Sequence, residues 1–132
     1  MVLVDTSVLI DFFKDKRNKG TEKLQNIILQ NIPFGITQYT YLELLQGAKN
    51  EREFSLLDEY LSTQTFYYLN DNLKSFANAA KLRLKCNTKG LTINSTIVFL
   101  IAQIAIENKL FLLHNDKDFD KMSKIINLKI YK

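Results

Sequence analysis

Two short runs, Val2-Leu-Val4 and Leu110-Phe-Leu-Leu113, are apolar at every position, and acids follow each of them. A strand with one wet face alternates apolar and polar residues. A run with no alternation has both faces covered, as in a parallel sheet packed between helices. Between these runs the sequence carries helical periodicity. Thr6 to Lys14 places Val8, Leu9, Phe12 and Phe13 on one side, and Thr21 to Gln30 aligns Leu24, Ile27 and Ile28. Further helices are predicted over Tyr39 to Ala48, Glu51 to Leu61, Asn72 to Lys85 (Phe76, Ala80 and Leu84 in register) and Asn94 to Asn108. Strands are predicted at Phe34 to Thr37, Thr65 to Leu69 and Leu128 to Tyr131 as well. Short apolar strands alternating with amphipathic helices predict an α/β fold with a mainly parallel sheet.

The 132 residues suit one domain spanning the whole chain. One cysteine excludes an internal disulfide framework, and one histidine beside it excludes a zinc finger. Any metal site must therefore use oxygen ligands, which suits magnesium, manganese or calcium. The opening Met1-Val-Leu-Val-Asp5 lacks the basic region of a signal peptide. The longest apolar run, Ile97 to Ala102, falls far short of a membrane span. A soluble, cytoplasmic protein is expected. Charge is uneven: residues 1–66 carry 7 basic and 9 acidic side chains, and residues 67–132 carry 11 and 5. A basic half suits an anionic partner such as nucleic acid, although a lysine-rich solvated surface would have the same composition.

In open parallel sheets, ligands bind beyond the carboxyl ends of the strands. The first strand ends in Asp5-Thr6-Ser7, and the fourth in His114-Asn115-Asp116-Lys117-Asp118. Each acid can be read as a helix cap, but two strands delivering carboxylates to one edge is harder to explain by capping. On the helix around Glu43, Tyr41, Leu42 and Leu45 share one side, which leaves Glu43 off the core face. Two carboxylates 4 Å apart repel by roughly 4 kcal/mol at an effective dielectric near 20. Gathering several of them calls for a counterion or a raised pKa. Magnesium meets that need with one or two carboxylates while keeping water or phosphate oxygens in its other positions.

Three segments carry a resemblance to a known family: Val2-Leu-Val-Asp5-Thr6-Ser7-Val-Leu-Ile10, Tyr41-Leu-Glu43-Leu-Leu-Gln-Gly47 and Leu112-Leu-His-Asn115-Asp116-Lys-Asp118-Phe119. In this order and spacing they resemble the PIN-domain ribonucleases, and within them the VapC toxins of bacterial toxin–antitoxin pairs. The resemblance covers essentially the whole chain and implies a PIN-like three-layer α/β/α sandwich with a four- to five-stranded sheet. It implies Asp5, Glu43 and Asp116 as metal ligands for Mg2+ or Mn2+, Asp118 as a supporting acid, and Thr6, Ser7 and Asn115 beside the cluster. It also implies endoribonuclease action on tRNA or rRNA, inhibition by a cognate VapB antitoxin, a homodimer and toxin–antitoxin hetero-oligomers.

One position departs from the family pattern. The family's Thr-Ile-Asp-x-Leu-Ile-Ala reads here as Thr96-Ile97-Val98-Phe99-Leu100-Ile101-Ala102, so Val98 stands where the resemblance places a catalytic aspartate. Valine neither binds metal nor orients water, and a catalytically impaired form is expected. The alternative is a non-catalytic PIN module that binds antitoxin or RNA. A receiver-like or nucleotide-binding domain is a third reading, without a glycine-rich phosphate loop to support it. Candidate RNA contacts are Lys14, Arg17, Lys81, Arg83 and Lys117, with Tyr39, Tyr41, Tyr67 and Tyr68 available for stacking. Leu9, Phe12 and Phe13 are candidates to line an antitoxin groove.

Overall fold

The computed structural model describes residues 1–132. Its elements run β1 (Val2–Val4), α1 (Thr6–Phe13), α2 (Lys19–Leu29), β2 (Phe34–Thr37), α3 (Gln38–Gln46), α4 (Glu51–Leu61), β3 (Phe66–Tyr67), α5 (Asn72–Thr88), α6 (Thr96–Glu107), β4 (Phe111–Leu113) and α7 (Lys117–Ser123). The four strands form one sheet in the order β3-β2-β1-β4, and every pair is parallel. Val2 of β1 stands between Phe34 of β2 and Phe111 of β4. No helix is long and apolar enough to cross a membrane.

Strand pleating divides the core into two layers. Leu3 and Leu112 enter the layer that holds Val98, Phe99, Ile101 and Ile104 of α6 and Phe119 and Met122 of α7. Val2, Val4 and Leu113 enter the other, with Val8, Leu24, Ile27, Leu44 and Leu61 from α1 to α4. Helices therefore cover both faces of the sheet, which is why β1 and β4 are apolar without alternation. The strand order has a second consequence. From β1 the chain winds outward through β2 to β3, and it returns to the other side of β1 as β4. That reversal opens a crevice between the ends of β1 and β4, the usual ligand site of such sheets.

Three expectations are corrected. Leu128 to Tyr131 is not a strand: only Ile130 bridges, to Leu112. The segment still lies beside β4, where the Leu112 N–H donates to the Lys129 carbonyl and the Tyr131 N–H to the Leu112 carbonyl, each at 2.9 Å, but the pairing stops at this one bridge. On α5, the Phe76/Ala80/Leu84 stripe is not the core face. Phe76 is 47% and Leu84 65% exposed, while Ser75, Ala79 and Cys86 are buried. Small side chains let α5 lie close against α6, so the helix turns that face inward. On α3, Leu42 points outward and Thr40, Leu44 and Leu45 are buried; Thr40 turns inward to meet Thr37 at the end of β2 and Thr6 of α1.

The last turn of α6 fastens the segment between β3 and α5. Glu107 accepts the Asn70 backbone N–H at 2.8 Å through Oε1 and the Gln103 amide at 2.8 Å through Oε2. Asn108 Nδ2 donates to the Tyr68 carbonyl at 3.0 Å. Burial alone would raise the Glu107 pKa, but the hydrogen bonds from Asn70, Gln103 and Ser75 together hold it below its usual range. A depressed carboxyl pKa stabilises the fold above the unfolded-state value, and that contribution disappears as pH falls through the folded-state value. The Glu107→Gln variant is expected to lose stability relative to the parent at pH 7. The gap should close as pH drops below about 4.3, the ordinary glutamate range. Urea midpoints measured from pH 7 to pH 3 check this; a gap that is constant with pH refutes it.

Candidate functional site

Asp5 is the first residue past β1. Its N–H continues the ladder by donating to the Leu113 carbonyl at 2.9 Å. Its side chain then caps α1: Oδ2 accepts the Ser7 N–H at 3.0 Å and the Ser7 hydroxyl at 2.6 Å. The capping reading and the functional reading of Asp5 are thus compatible. Both bonds use Oδ2, and Oδ1 has no protein donor yet is not sealed from solvent. The residue is only 5% exposed. Burial raises the Asp5 pKa most; the Ser7 bonds oppose that, and the nearby charges of Glu43 and Asp116 push it further up.

Glu43 reaches the crevice from α3. Its Oε1 accepts the Thr6 hydroxyl at 2.7 Å, and Thr6 Oγ1 also lies 2.9 Å from Thr40 Oγ1. Thr6 has one hydroxyl hydrogen. With that hydrogen on the carboxylate, Thr40 donates to Thr6, and Thr37 Oγ1 stands 3.4 Å behind Thr40. These buried hydroxyls can align their dipoles toward the Glu43 charge. Thr37 also caps α3 by accepting the Thr40 N–H at 3.1 Å, so the end of β2 and the start of α3 are fixed by the same group.

Asp116 arrives from β4 and caps α7, accepting the Asp118 N–H at 2.9 Å. Its own N–H donates to His114 Nδ1 at 3.1 Å. Because Nδ1 accepts, the neutral ring carries its hydrogen on Nε2, which faces Asp120 Oδ1 at 3.1 Å. Ser7 joins the two strand ends, since its Oγ also accepts the Asn115 N–H at 2.9 Å.

The structure therefore brings Glu43 and Asp116 within electrostatic reach of Asp5, with Thr6, Ser7 and Asn115 bonded around them. No lysine or arginine forms an ion pair with any of the three; the lysine–carboxylate pair of the chain is Lys16–Asp11. A set of hard carboxylate oxygens without a basic partner suits a hard divalent cation. The arrangement is open, however: no three His, Cys, Asp or Glu side chains are grouped closely enough to form a finished metal centre. Asp118 sits half-buried in the first turn of α7, and its charge is not among those acting on Asp5. Val98 lies in the first turn of α6, 9% exposed and packed in the core.

The basic candidates divide. Lys14 shares a cleft of about 630 Å³ with Glu43, Ile10, Phe13, Leu56 and Tyr60. Arg17 and Lys117 are exposed. Lys81 is exposed on α5, and Arg83 lines a separate 280 Å³ pocket with Phe76 and Phe99, so that pocket contains none of the acids. Of the expected groove residues, Phe13 lines the cleft, whereas Leu9 is buried core and Phe12 packs against that core. Tyr41 is held by Asp58, to which its hydroxyl donates, and Tyr39 and Tyr67 pack on the core. Tyr68 remains half-exposed, stacked on Phe66. Sequence reasoning missed Thr37, Thr40, Lys49 at the cleft, Asp11 and Asn18. The threonines were legible as a cap pattern, Thr37-x-x-Thr40 at a strand-to-helix turn.

A sequence profile of the PIN domain matches residues 2–125. The chain belongs to the PIN domain family. It is 24% identical over 129 residues to a protein named VapC ribonuclease from Mycobacterium bovis, covering 97% of this chain and 96% of that one. It is 25% identical over 130 residues to ribonuclease VapC1 of Methanocaldococcus jannaschii, covering 98% and 86%. The fold is similar to that in a structure of VapBC2 from Rickettsia felis bound to a promoter DNA fragment. There the TM-score is 0.75 at 24% identity, over 99% of this chain and 98% of that one. As in other PIN domains the fold is α/β, with an all-parallel four-stranded sheet.

Burial makes the Asp5 charge costly to this PIN domain without a cation. In Asp5→Asn the amide oxygen still accepts from Ser7 while the charge is gone. The thermal midpoint at pH 7 in EDTA is expected to rise. Calorimetry of both proteins checks this, and a lower midpoint for the variant would mean that the charge is already compensated.

Proposed function

We propose that this chain is a VapC-type toxin: a PIN-domain endoribonuclease by construction, impaired at position 98 and inhibited by a VapB-type antitoxin. The observation that carries the reading is the buried Asp5 carboxylate at the β1/β4 crevice, facing the charges of Glu43 and Asp116 with no basic side chain to offset them. The names of the curated relatives and the family membership support ribonuclease chemistry.

Asp5, Glu43 and Asp116 would hold Mg2+ or Mn2+, with Asp118 in support. When bound, such an ion makes water a stronger nucleophile and stabilises the charge on a leaving oxygen. The chain's own residues do the rest. Ser7 fixes the Asp5 carboxylate through Oδ2 and leaves Oδ1 for the ion. Thr6, backed by Thr40, holds Glu43 in one orientation. No histidine or cysteine nucleophile is required. RNA, tRNA or rRNA by resemblance, would meet the crevice across Lys14, Arg17 and Lys117, since phosphate contacts supply most of the affinity.

The antitoxin would occupy the cleft beside the acids. Ile10, Phe13, Leu56 and Tyr60 offer it an apolar floor, and Lys14 and Lys49 a basic rim next to Glu43. A short amphipathic segment fits such a groove. The exposed Phe76 and Leu84 on α5 give a homodimer a surface to use.

Val98 favours a second reading, in which the chain binds antitoxin or RNA without cutting. Comparing this chain with Val98→Asp on total tRNA and rRNA, with Mn2+ or Mg2+ and with EDTA, separates the two. The restored protein is expected to cleave at least about 100-fold faster, and EDTA to abolish the gain. Equal cleavage by both proteins would show that position 98 is not the defect. Cleavage by neither, with retained antitoxin binding, would favour the binding module.

A further inference from the structure

Behind the crevice lies a polar cluster that this reading does not use. Asn115 Nδ2 donates to Asp11 Oδ2 at 3.0 Å and lies 2.9 Å from Asn18 Oδ1. Asn18 Nδ2 donates to the same Asp11 oxygen at 3.0 Å. Asn18 is also the N-cap of α2: its Oδ1 accepts the Thr21 N–H at 3.0 Å, and its own N–H donates to Thr21 Oγ1 at 3.0 Å. Three distant parts of the chain meet here: the end of α1, the start of α2 and the turn after β4.

Glycine 20 marks how tightly the amide is held. A Cβ at that position would lie 2.6 Å from Asn115 Cγ and 2.7 Å from Nδ2. Real side chains do not approach so closely, so only glycine leaves room for Asn115 in this orientation. The backbone of Asn115 is tied as well, through its N–H to Ser7 Oγ, the same hydroxyl that donates to Asp5. Asn115 is thus fixed at both its amide groups, and the next residue is Asp116.

We propose that Asp11, Asn18 and Asn115 form a positioning clamp that sets where Asp116 stands relative to Asp5, with Gly20 as its seat. None of the three needs to touch an ion or RNA. Asp11 acts as the common acceptor, and its charge strengthens both amide bonds. The link to catalysis rests on the metal-centre reading above. The clamp itself is a claim about the β4–α7 turn and can be tested without it.

Three variants isolate the clamp, each made in the Val98→Asp protein. Asn115→Ala removes the central amide. Gly20→Ala leaves every clamp residue in place and displaces the amide by volume. Asn18→Ser keeps a cap for α2 while removing the side-chain amide, which guards against a variant that fails only because α2 frays. Two measurements follow: hydrogen exchange at the amides of Asn115, Asp116 and Asp118, and the Mn2+ dissociation constant.

The clamp predicts exchange about 10-fold faster or more at these three amides, with the β1/β4 ladder unchanged. It predicts Mn2+ binding weaker by about 10- to 100-fold, the usual effect of removing a group that orients a ligand. Adding Gly20→Ala to Asn115→Ala should cost little more, because the clash disappears with the amide. Unchanged exchange at the turn overturns the proposal. So does faster exchange with unaltered Mn2+ affinity, which would make the cluster a loop anchor only. If the Val98→Asp parent itself binds no Mn2+, the metal-centre reading fails, and exchange at the turn alone decides the clamp.

Discussion

The buried carboxylate of Asp5 is the interaction on which the rest of the site depends. It stands where two strands end side by side, so it must satisfy the ladder, the start of α1 and the crevice at once. The backbone N–H serves β4, Oδ2 serves Ser7, and Oδ1 is left over. Burying a charge without pairing it is costly, and the neighbouring acids add to the cost. A fold does not keep such a group for stability. On the proposed reading a cation would offset that cost, and the surroundings are consistent with one: hydroxyls from Ser7 and Thr6 orient two of the carboxylates, and no lysine or arginine pairs with them.

Much of this was legible in the sequence, for a physical reason. Strands covered on both faces are apolar at every position, so β1 and β4 announced a parallel sheet, and the acids that follow them announced its carboxyl edge. The two-sided core, the crevice and the position of Asp5 and Asp116 follow from that. The helix limits were also close, because Asn50, Asp71 and Ser95 are strong caps. Where the reading failed, tertiary packing overrode local pattern. Phe76 and Leu84 form a good stripe, but Ser75 and Ala79 allow a closer approach to α6, and close packing decided the face. The last strand shrank to a single parallel bridge, Ile130 against Leu112, because its two hydrogen bonds both go to Leu112 and the ladder extends no further.

The least legible part was the polar scaffolding. Thr37 and Thr40 show only as a local cap, while the links from Thr40 to Thr6 and from Asp11 and Asn18 to Asn115 join residues far apart in sequence that no local pattern marks. Asp11 reads as one more charge at a helix end, and Asn18 as an ordinary cap. Only the fold shows that Asn115 comes to rest against both, over a glycine whose enlargement would displace the Asn115 amide. In the sequence Gly20 carries no signal beyond that of a glycine at a turn. Its stronger constraint is the volume of a side chain 95 residues away.

Position 98 separates binding from cutting in physical terms. On the proposed reading, an aspartate in the first turn of α6 would join the site acids, and it would bring a carboxylate into a largely apolar surrounding. Valine instead joins the core beside Phe99 and Ile101 and adds no repulsion. It touches neither the apolar cleft along α1 and α4 nor the basic residues at its rim. If the proposed reading holds, the absence of an acid at position 98 falls on the chemistry, because Val98 lines neither the cleft nor the exposed face of α5. A chain read in this way would keep the surfaces proposed for partners, and the property expected to differ from an acid-bearing form is the rate of cleavage.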